Sequence, residues 1–510
     1  MIKNILEYFE ETLAEVPEKT AIVDGGREIT FSALAREALA VAALLRRTFG
    51  GEIRRPVAVY LPKSIKCAVG GLGILYSGNA YMNLDVKTPA QRIANILELV
   101  RPLCVLTDEA HQTALAAVWP EEKTLLLDGE LPSAGGEEER AIRQGLERII
   151  DTDPLCLINT SGSTGTPKSV VLNHRSFLDF TEWALEATPI GGEEIVGSLS
   201  PSVFDIYSFE LCMMMARSST LVLIPDAMAA FPARILQLLQ ERRVTFLFWV
   251  PTIMVNIANM GLLEKVPLPD LKMVWFAGEV FPTKQFNIWR RNLPSVVFVN
   301  LYGPIEITLD CTYLIVDREI PDEEPIPIGY PCRNTDVLIL NEQDRPAGPD
   351  EEGELCVRGS SLALGYYNDP EKTAAAFVQN PLNTAYPERI YRTGDMVFRN
   401  RRGEIVFKGR KDSLIKHSGY RVELGEIEHV AVNTLRLVNN GCAVYDHEKK
   451  EIVFFYESKE PLDTAAFRRE IGKQLPRYML PGRLVHMEEL PRNANGKIDR
   501  LRLKGEVQSV

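Results

Sequence analysis

The strongest constraint on the fold is an alternation that runs through most of the chain. Short apolar, β-branched runs such as "RPVAVYL" (55–61), "LCVLT" (103–107) and "TLLLD" (124–128) take turns with helical patterns such as "ITFSALAREALAVAALLRRTFG" (29–50). The pattern resumes with "STLVLIP" (219–225), "ARILQLLQERR" (233–243), "VTFLFWVP" (244–251), "LKMVWFAGE" (271–279) and "SVVFVNLYGP" (295–304). Strands separated by helix-length segments pair in parallel, with helices covering the sheet faces. Two layered α/β sheets account for this part of the chain. From about Ile326 the texture changes to short strands punctuated by Gly and Pro, as in "TDVLILNEQDRPAGPDEEGELCVRGSS" (335–361), which predicts a small β-barrel-like subdomain. The charged, glycine-punctuated "KGRKDSLIKHSGYR" (408–421) reads as a hinge, followed by a helix from "ELGEIEHVAV" onward. The expectation is an α/β protein with an N-terminal core over 1–410 and a small mobile α/β C-terminal domain over 411–510.

Composition excludes several function classes. Fifty-seven basic against sixty-nine acidic residues give a net charge of −12, so nucleic acid and anionic membrane are poor partners for the molecule as a whole. The closest of the eight cysteines, Cys311 and Cys332, stand 21 positions apart, which leaves no C-x-x-C pair and suggests a reducing, cytoplasmic setting. The start, "MIKNILEYFEETLAE", reads as an amphipathic helix, neither signal peptide nor anchor. The most apolar stretch, "CAVGGLGILYSGNAYMNL" (67–84), reads as a buried helix running into a strand. "GGEEER" (135–140) is expected to be a solvated loop.

One loop carries chemistry on its face. "NTSGSTGTPKSVV" (159–171) places hydroxyls, two glycines and one lysine between two strand-like runs. Gly162 and Gly165 permit φ > 0, so backbone N–H groups can converge on one point, and Lys168 adds a cation. This composition suits a polyanion such as phosphate, although the spacing is not that of G-x-x-x-x-G-K-[ST]. A surface hairpin rich in turn residues has the same composition.

In order along the chain, that loop, "NLYGPIE" (300–306), "GELCVRGSSLALGYYNDP" (353–370), "YRTGD" (391–395), "GRKD" (409–412) and "NGKIDR" (495–500) resemble the motif set of adenylate-forming enzymes. "ITFSAL" (29–34) and "SGNAYMNLDVKTPAQRI" (77–93) extend the resemblance over nearly the whole chain. It is closest to the amino-acid branch, which includes peptide synthetase adenylation domains and stand-alone ligases that load D-alanine onto a carrier protein. The resemblance implies a ligase that uses ATP and Mg²⁺. Its nucleotide contacts would be Thr160, Ser161, Gly162, Ser163, Thr164, Gly165, Gly278, Glu279, Asn300, Leu301, Tyr302, Gly303, Asp395 and Arg410. Tyr302 offers a flat face for adenine and Asn300 an amide for its edge, while Asp395 has two acceptors for two ribose hydroxyls. Glu306 resembles the Mg²⁺ contact, a role that suits a carboxylate beside phosphate oxygens. Lys168 and Lys497 would be the catalytic cations, Lys497 reaching the α-phosphate from the mobile domain and Asp412 serving as its pivot. Rotation there would bring "KHSGYR" (416–421) inward in place of Lys497 for the second half-reaction. Three positions depart from the family's pattern: Ile305 where Thr is usual, and Leu414 and Ser418 where Gln and Arg are usual.

Asp205, in "FDIYSFE" (204–210), resembles the aspartate that binds a substrate's α-ammonium in the amino-acid branch. Burial of an ammonium is costly without such a partner. An aspartate here could also cap the following helix. By motif position the substrate pocket would comprise Asp205, Ile206, Phe209, Phe248, Trp275, Ala277, Leu301, Leu309 and Asp310. Its bulky members leave room for a short side chain, and Asp310 needs a donor such as a substrate hydroxyl, so serine is favoured and alanine follows. The absence of a carrier serine motif after Arg500 implies a phosphopantetheinyl carrier protein in trans. Two other readings stay open on sequence alone: an acyl-CoA synthetase using free CoA, and a catalytically inactive nucleotide-binding regulator.

Overall fold

The computed structural model describes residues 2–129, 131–161, 167–411, 414–458, 460–492 and 498–508. Two sheets dominate. The larger has nine strands, and its six central ones (Val297–Tyr302, Met273–Phe276, Phe246–Trp249, Ile195–Ser198, Thr220–Leu223, Thr20–Asp24) run parallel in that spatial order. Antiparallel strands close both edges, Arg27–Thr30 on one side and Thr312–Ile315 with Tyr330–Pro331 on the other. The seven-stranded sheet has a parallel centre of Pro154–Thr160, Ala80–Leu84, Pro56–Tyr60, Val105–Thr107 and Thr124–Leu126. Lys168–Asn173 and Gly365–Tyr366 pair antiparallel at its edge.

One core joins the two sheets. Val57, Val59 and Ile158 of the smaller sheet and Phe246, Trp275 and Val299 of the larger bury into the same apolar cluster. Helices Ile5–Glu15, Phe31–Phe49, Ile65–Tyr76 and Asp205–Arg217 contribute to that layer. The outer face of the larger sheet is covered by Pro232–Glu241, Pro251–Asn259 and Thr283–Asn292, that of the smaller by Ala90–Val100. The parallel alternation in the sequence therefore corresponds to helices between and outside two sheets, the arrangement that lets every strand bury both faces.

A five-stranded antiparallel sheet follows, in which the long strand Arg389–Arg399 pairs with Gly353–Gly359, Phe377–Gln379 and Ile405–Arg410, and Thr335–Leu340 lies outside Gly353–Gly359. Beyond it come the hairpin Leu414–His417 and Tyr420–Glu423, the helix Leu424–His429, and a three-stranded sheet of Asn440–Asp446, Glu451–Glu457 and Arg483–Met487 with its own apolar cluster. Among the described residues no helix is long and apolar enough to cross a membrane.

One local expectation is overturned. The acidic "GGEEER" is not a loop: Gly136–Gly145 is helical. Its glutamates lie in the first turn, where acidic side chains favour a helix, and they are held by cations: Glu138 pairs with Arg47, while Glu139 and Arg143 lie one turn apart.

Candidate active site

The site forms where the parallel strands end, the place at which open α/β sheets bind ligands. Pro154–Thr160 runs into the hydroxyl-rich loop and Met273–Phe276 into Ala277, Gly278 and Glu279. Val297–Tyr302 runs into Gly303. Gly303 has to be glycine: a Cβ there would stand 2.2 Å from the Leu309 carbonyl oxygen. Its smallness lets the segment 308–310 fold across the strand end. Thr308 and Leu309 both take positive φ, at 55° and 61°. Two successive non-glycine residues in that region mark stored strain, and here the strain turns the Leu309 N–H toward Asp205.

Asp205 is the first residue of its helix, and Phe204, not Asp205, stands at the cap position. Its carboxylate accepts N–H groups from Leu309 at 3.1 Å and Ile206 at 3.0 Å. Burial pushes its pKa up to about 6 against the opposing pull of those N–H groups and of Lys416. The loop leading to it is tethered from the smaller sheet: Lys63 Nζ donates to the Ser198 and Ser200 carbonyls at 3.0 and 3.1 Å, and Asn83 donates to Ser202 O at 2.8 Å.

The residues assigned to substrate from sequence lie in the apolar interior. Ile206, Phe209, Phe248, Trp275, Ala277, Leu301, Leu309 and Asp310 are all buried. Phe209 stacks on Trp275 with centroids 5.6 Å apart, and Phe248 meets both rings edge-on at 6.0 and 5.5 Å. Asp205 and Asp310 are buried beside this ring cluster, at 8% and 4% exposure. No hydrogen bond to the Asp310 carboxylate occurs among the described residues. Burial, then the charge of Asp205, hold its pKa well above the carboxylate range, while Lys416 opposes them.

The nucleotide-side residues cluster as well. Antiparallel register sets Arg410 directly opposite Asp395, and the guanidinium donates to the carboxylate at 2.6 Å. The Tyr302 hydroxyl donates to the other Asp395 oxygen. The Asn300 amide donates to Pro327 O at 2.8 Å. Thr160 Oγ1 is buried with no partner among the described residues. The Lys168 ammonium lies 5.6 Å from the Tyr366 ring centre. Glu279, expected near nucleotide, turns its carboxylate instead to the N–H and hydroxyl of Thr252 and to the Gly419 N–H at 2.7 Å. Gly162, Ser163, Thr164, Gly165, Asp412 and Lys497 lie outside the described residues.

Four side chains that meet assigned groups were not themselves given a role from sequence: Tyr366, Arg421, Lys416 and Glu423. Glu306, fully buried, accepts the Tyr366 hydroxyl at 2.8 Å and the Arg421 guanidinium at 2.5 Å. Burial works to raise its pKa, but Arg421 outweighs this and holds it below the usual value. Lys416 lies 5.6 Å from the centre of the Tyr302 ring, over the face expected to take adenine. Glu423 approaches Lys168 at 3.8 Å. The hairpin 414–423 thus lies in the site. "KHSGYR" was expected to turn inward, but a motif does not say which of its side chains will find which buried partner.

A profile described as AMP-binding enzyme matches residues 9–367. Zwittermicin A synthase ZmaJ of Bacillus cereus is 30% identical over 509 residues, covering 97% of this chain and 94% of ZmaJ. Tyrocidine synthase 3 of Brevibacillus parabrevis is 31% identical over 514 residues, which take in 99% of this chain but 8% of that longer protein. The chain thus spans nearly all of one relative and a small part of the other. Among solved structures, the Vibrio cholerae adenylation domain AlmE, in complex with glycyl-adenosine-5'-phosphate, shares the fold, with a TM-score of 0.84 over 100% of this chain and 98% of AlmE at 20% identity. The chain therefore belongs to the AMP-binding enzyme family, as an adenylate-forming ligase of the amino-acid adenylation branch.

Proposed function

We propose that the chain joins ATP to a small amino acid, serine first and alanine second, and passes the aminoacyl group to the phosphopantetheine thiol of a separate carrier protein. What supports this reading is a buried carboxylate, Asp205, on a chain whose buried rings Phe209, Phe248 and Trp275 pack together among the residues assigned to substrate. A carboxylate so buried suits an α-ammonium, and the rings leave space for a short side chain.

Asp205 orients the substrate, whose carboxylate oxygen attacks the α-phosphorus as the bond to the β-phosphate breaks. Asp395 and Arg410 hold the ribose, and the Tyr302 face takes adenine. Thr160, Ser161 and Lys168 hold the departing pyrophosphate, and Lys497 offsets charge at the α-phosphate. Glu306, a buried carboxylate beside these groups, fits a magnesium ion, which when bound neutralises phosphate charge. In the second half-reaction the thiol sulfur attacks the carbonyl and AMP leaves, with the segment 411–510 turned about Asp412 relative to 1–410.

Pyrophosphate exchange with the twenty amino acids and D-alanine tests the reading. Exchange should be strongest with serine and next with alanine. Strong exchange with phenylalanine or leucine and none with serine, alanine or glycine would defeat it.

A further inference from the structure

The segment that leads to Asp205 is gripped from two sides. From the smaller sheet, Lys63, just beyond the strand Pro56–Tyr60, donates its ammonium to the carbonyls of Ser198 and Ser200 at 3.0 and 3.1 Å. Asn83, in the strand Ala80–Leu84, donates to the Ser202 carbonyl at 2.8 Å. Alternate carbonyls of 198–202 are thus taken by side chains of one sheet. From the other side, the fully buried Glu210 accepts the Ser198 hydroxyl at 2.5 Å. Glu210 lies on the helix Asp205–Arg217, which Asp205 itself begins. Ser198, the last residue of the larger-sheet strand Ile195–Ser198, is therefore tied both to the smaller sheet and to the helix that carries the substrate carboxylate.

We propose that Lys63 is a positioning residue for the amino-acid substrate: by holding the carbonyls of Ser198 and Ser200 it fixes where the Asp205 carboxylate meets the α-ammonium. The proposal rests on the adenylation reading above. The carboxylate's own contacts do not fix its place, because one of its two N–H donors, Ile206, travels with it on the same helix. The strand end and the smaller sheet supply the fixed reference, and Lys63 joins the two. Burial raises the Glu210 pKa and lowers that of Lys63, and each charge opposes the shift of the other. Charges placed in an interior add little stability over apolar residues of the same size, whereas their hydrogen bonds hold one backbone geometry. Geometry is what this segment needs, since a misplacement of about 1 Å at a substrate-positioning group can cost about a hundredfold in rate.

Pyrophosphate exchange of the full chain with serine, and with 3-hydroxypropanoate, which lacks the ammonium, tests the proposal. Lys63→Met should raise the serine KM about tenfold and leave the ATP KM within about twofold of the parent, with Lys63→Arg between parent and Lys63→Met. The preference for serine over 3-hydroxypropanoate should fall with it. Because Lys63 acts through Asp205, Lys63→Met should add nothing to the serine KM of Asp205→Ala, a non-additivity that a general loosening of the fold does not produce. Asn83→Ala removes the Ser202 contact and leaves both charges in place. It should raise the serine KM about threefold with the ATP KM unchanged, and it carries the test if Lys63→Met does not fold. An unchanged serine KM, an equal rise in the serine and ATP KM, or full additivity with Asp205→Ala would overturn the positioning role alone. A parent that exchanges with no amino acid, or an Asp205→Ala variant with the parent's preference for serine over 3-hydroxypropanoate, would remove the reading on which the proposal rests.

Discussion

Two carboxylates share the substrate end of the site, and their surroundings treat them differently. Asp205 has two N–H donors, whereas Asp310 has no donor among the described residues. A substrate hydroxyl would supply one, and a site built around such a bond discriminates strongly against the analogue lacking it. Asp310→Ala should therefore lose a serine-over-alanine preference in kcat/KM and retain activity with alanine; an unchanged ratio would place the hydroxyl elsewhere. Asp205 gives a pH signature. Its folded pKa is raised to about 6, so the carboxylate loses its charge as pH falls through that value, and with it the attraction for an ammonium. The amino-acid KM should rise about tenfold per unit below pH 6, a limb that Asp205→Asn should flatten. A KM constant from pH 7 to 5 in the parent would contradict the assignment. These residues were legible through the motif positions of the family resemblance, not through any local pattern of their own. Arg421 was hidden, since its partner Glu306 lies 115 residues away in sequence and no local pattern joins them.

At the scale of elements, long periodic segments were readable and charge-rich short ones were not. The helix Phe31–Phe49 and the buried run Ile65–Tyr76 into Ala80–Leu84 follow from apolar periodicity and length. Gly136–Gly145 was missed because two glycines ahead of a glutamate run look like a solvated turn, and the Arg47 that holds Glu138 belongs to another helix. The helix Ile5–Glu15 depends on a partner just as remote. His174 Nδ1 accepts the Ile5 N–H at 3.2 Å, which requires the unprotonated nitrogen. Burial pushes the His174 pKa down to about 4, against the nearby charges of Asp153 and Asp151. Because the folded value lies below the unfolded one near 6.5, the unfolded chain takes the proton first. The stabilisation is complete above 6.5 and is lost as pH falls toward 4, to a total of about 3 kcal/mol. Urea unfolding at pH 7 and pH 4.5 should show the parent losing more stability than His174→Asn by most of that amount. Parallel losses in both proteins would show that the ring does not stay neutral in the fold.

At the scale of the whole molecule, the segment from Leu414 onward is fastened to the core by pairs at separate points. Arg92, on the helix Ala90–Val100, pairs with Glu426 on Leu424–His429, and both side chains are buried. Phe204, which precedes Asp205, meets Tyr420 at 5.1 Å, and Tyr420 in turn stacks on Tyr478 at 3.7 Å. Gly419 beside them has a positive φ of 82°, and a Cβ added there would stand 3.2 Å from Val250. The sequence suggested a hinge from charge and glycine, but an ion pair joining positions 92 and 426 cannot be read from composition. Removing one partner of a buried pair costs about 3–5 kcal/mol when the other charge stays trapped. If the C-terminal segment swings as proposed, Arg92→Ala has a cheaper outcome: the segment undocks and Glu426 regains water. The loss is then capped at the docking free energy and falls on the half-reaction that uses this arrangement. Arg92→Ala should thus keep pyrophosphate exchange within about twofold of the parent, slow carrier loading by tenfold or more, and shift the global urea midpoint little. Equal loss in both half-reactions, or a midpoint shift worth the full 3–5 kcal/mol, would show instead that the pair is a fixed part of one rigid fold.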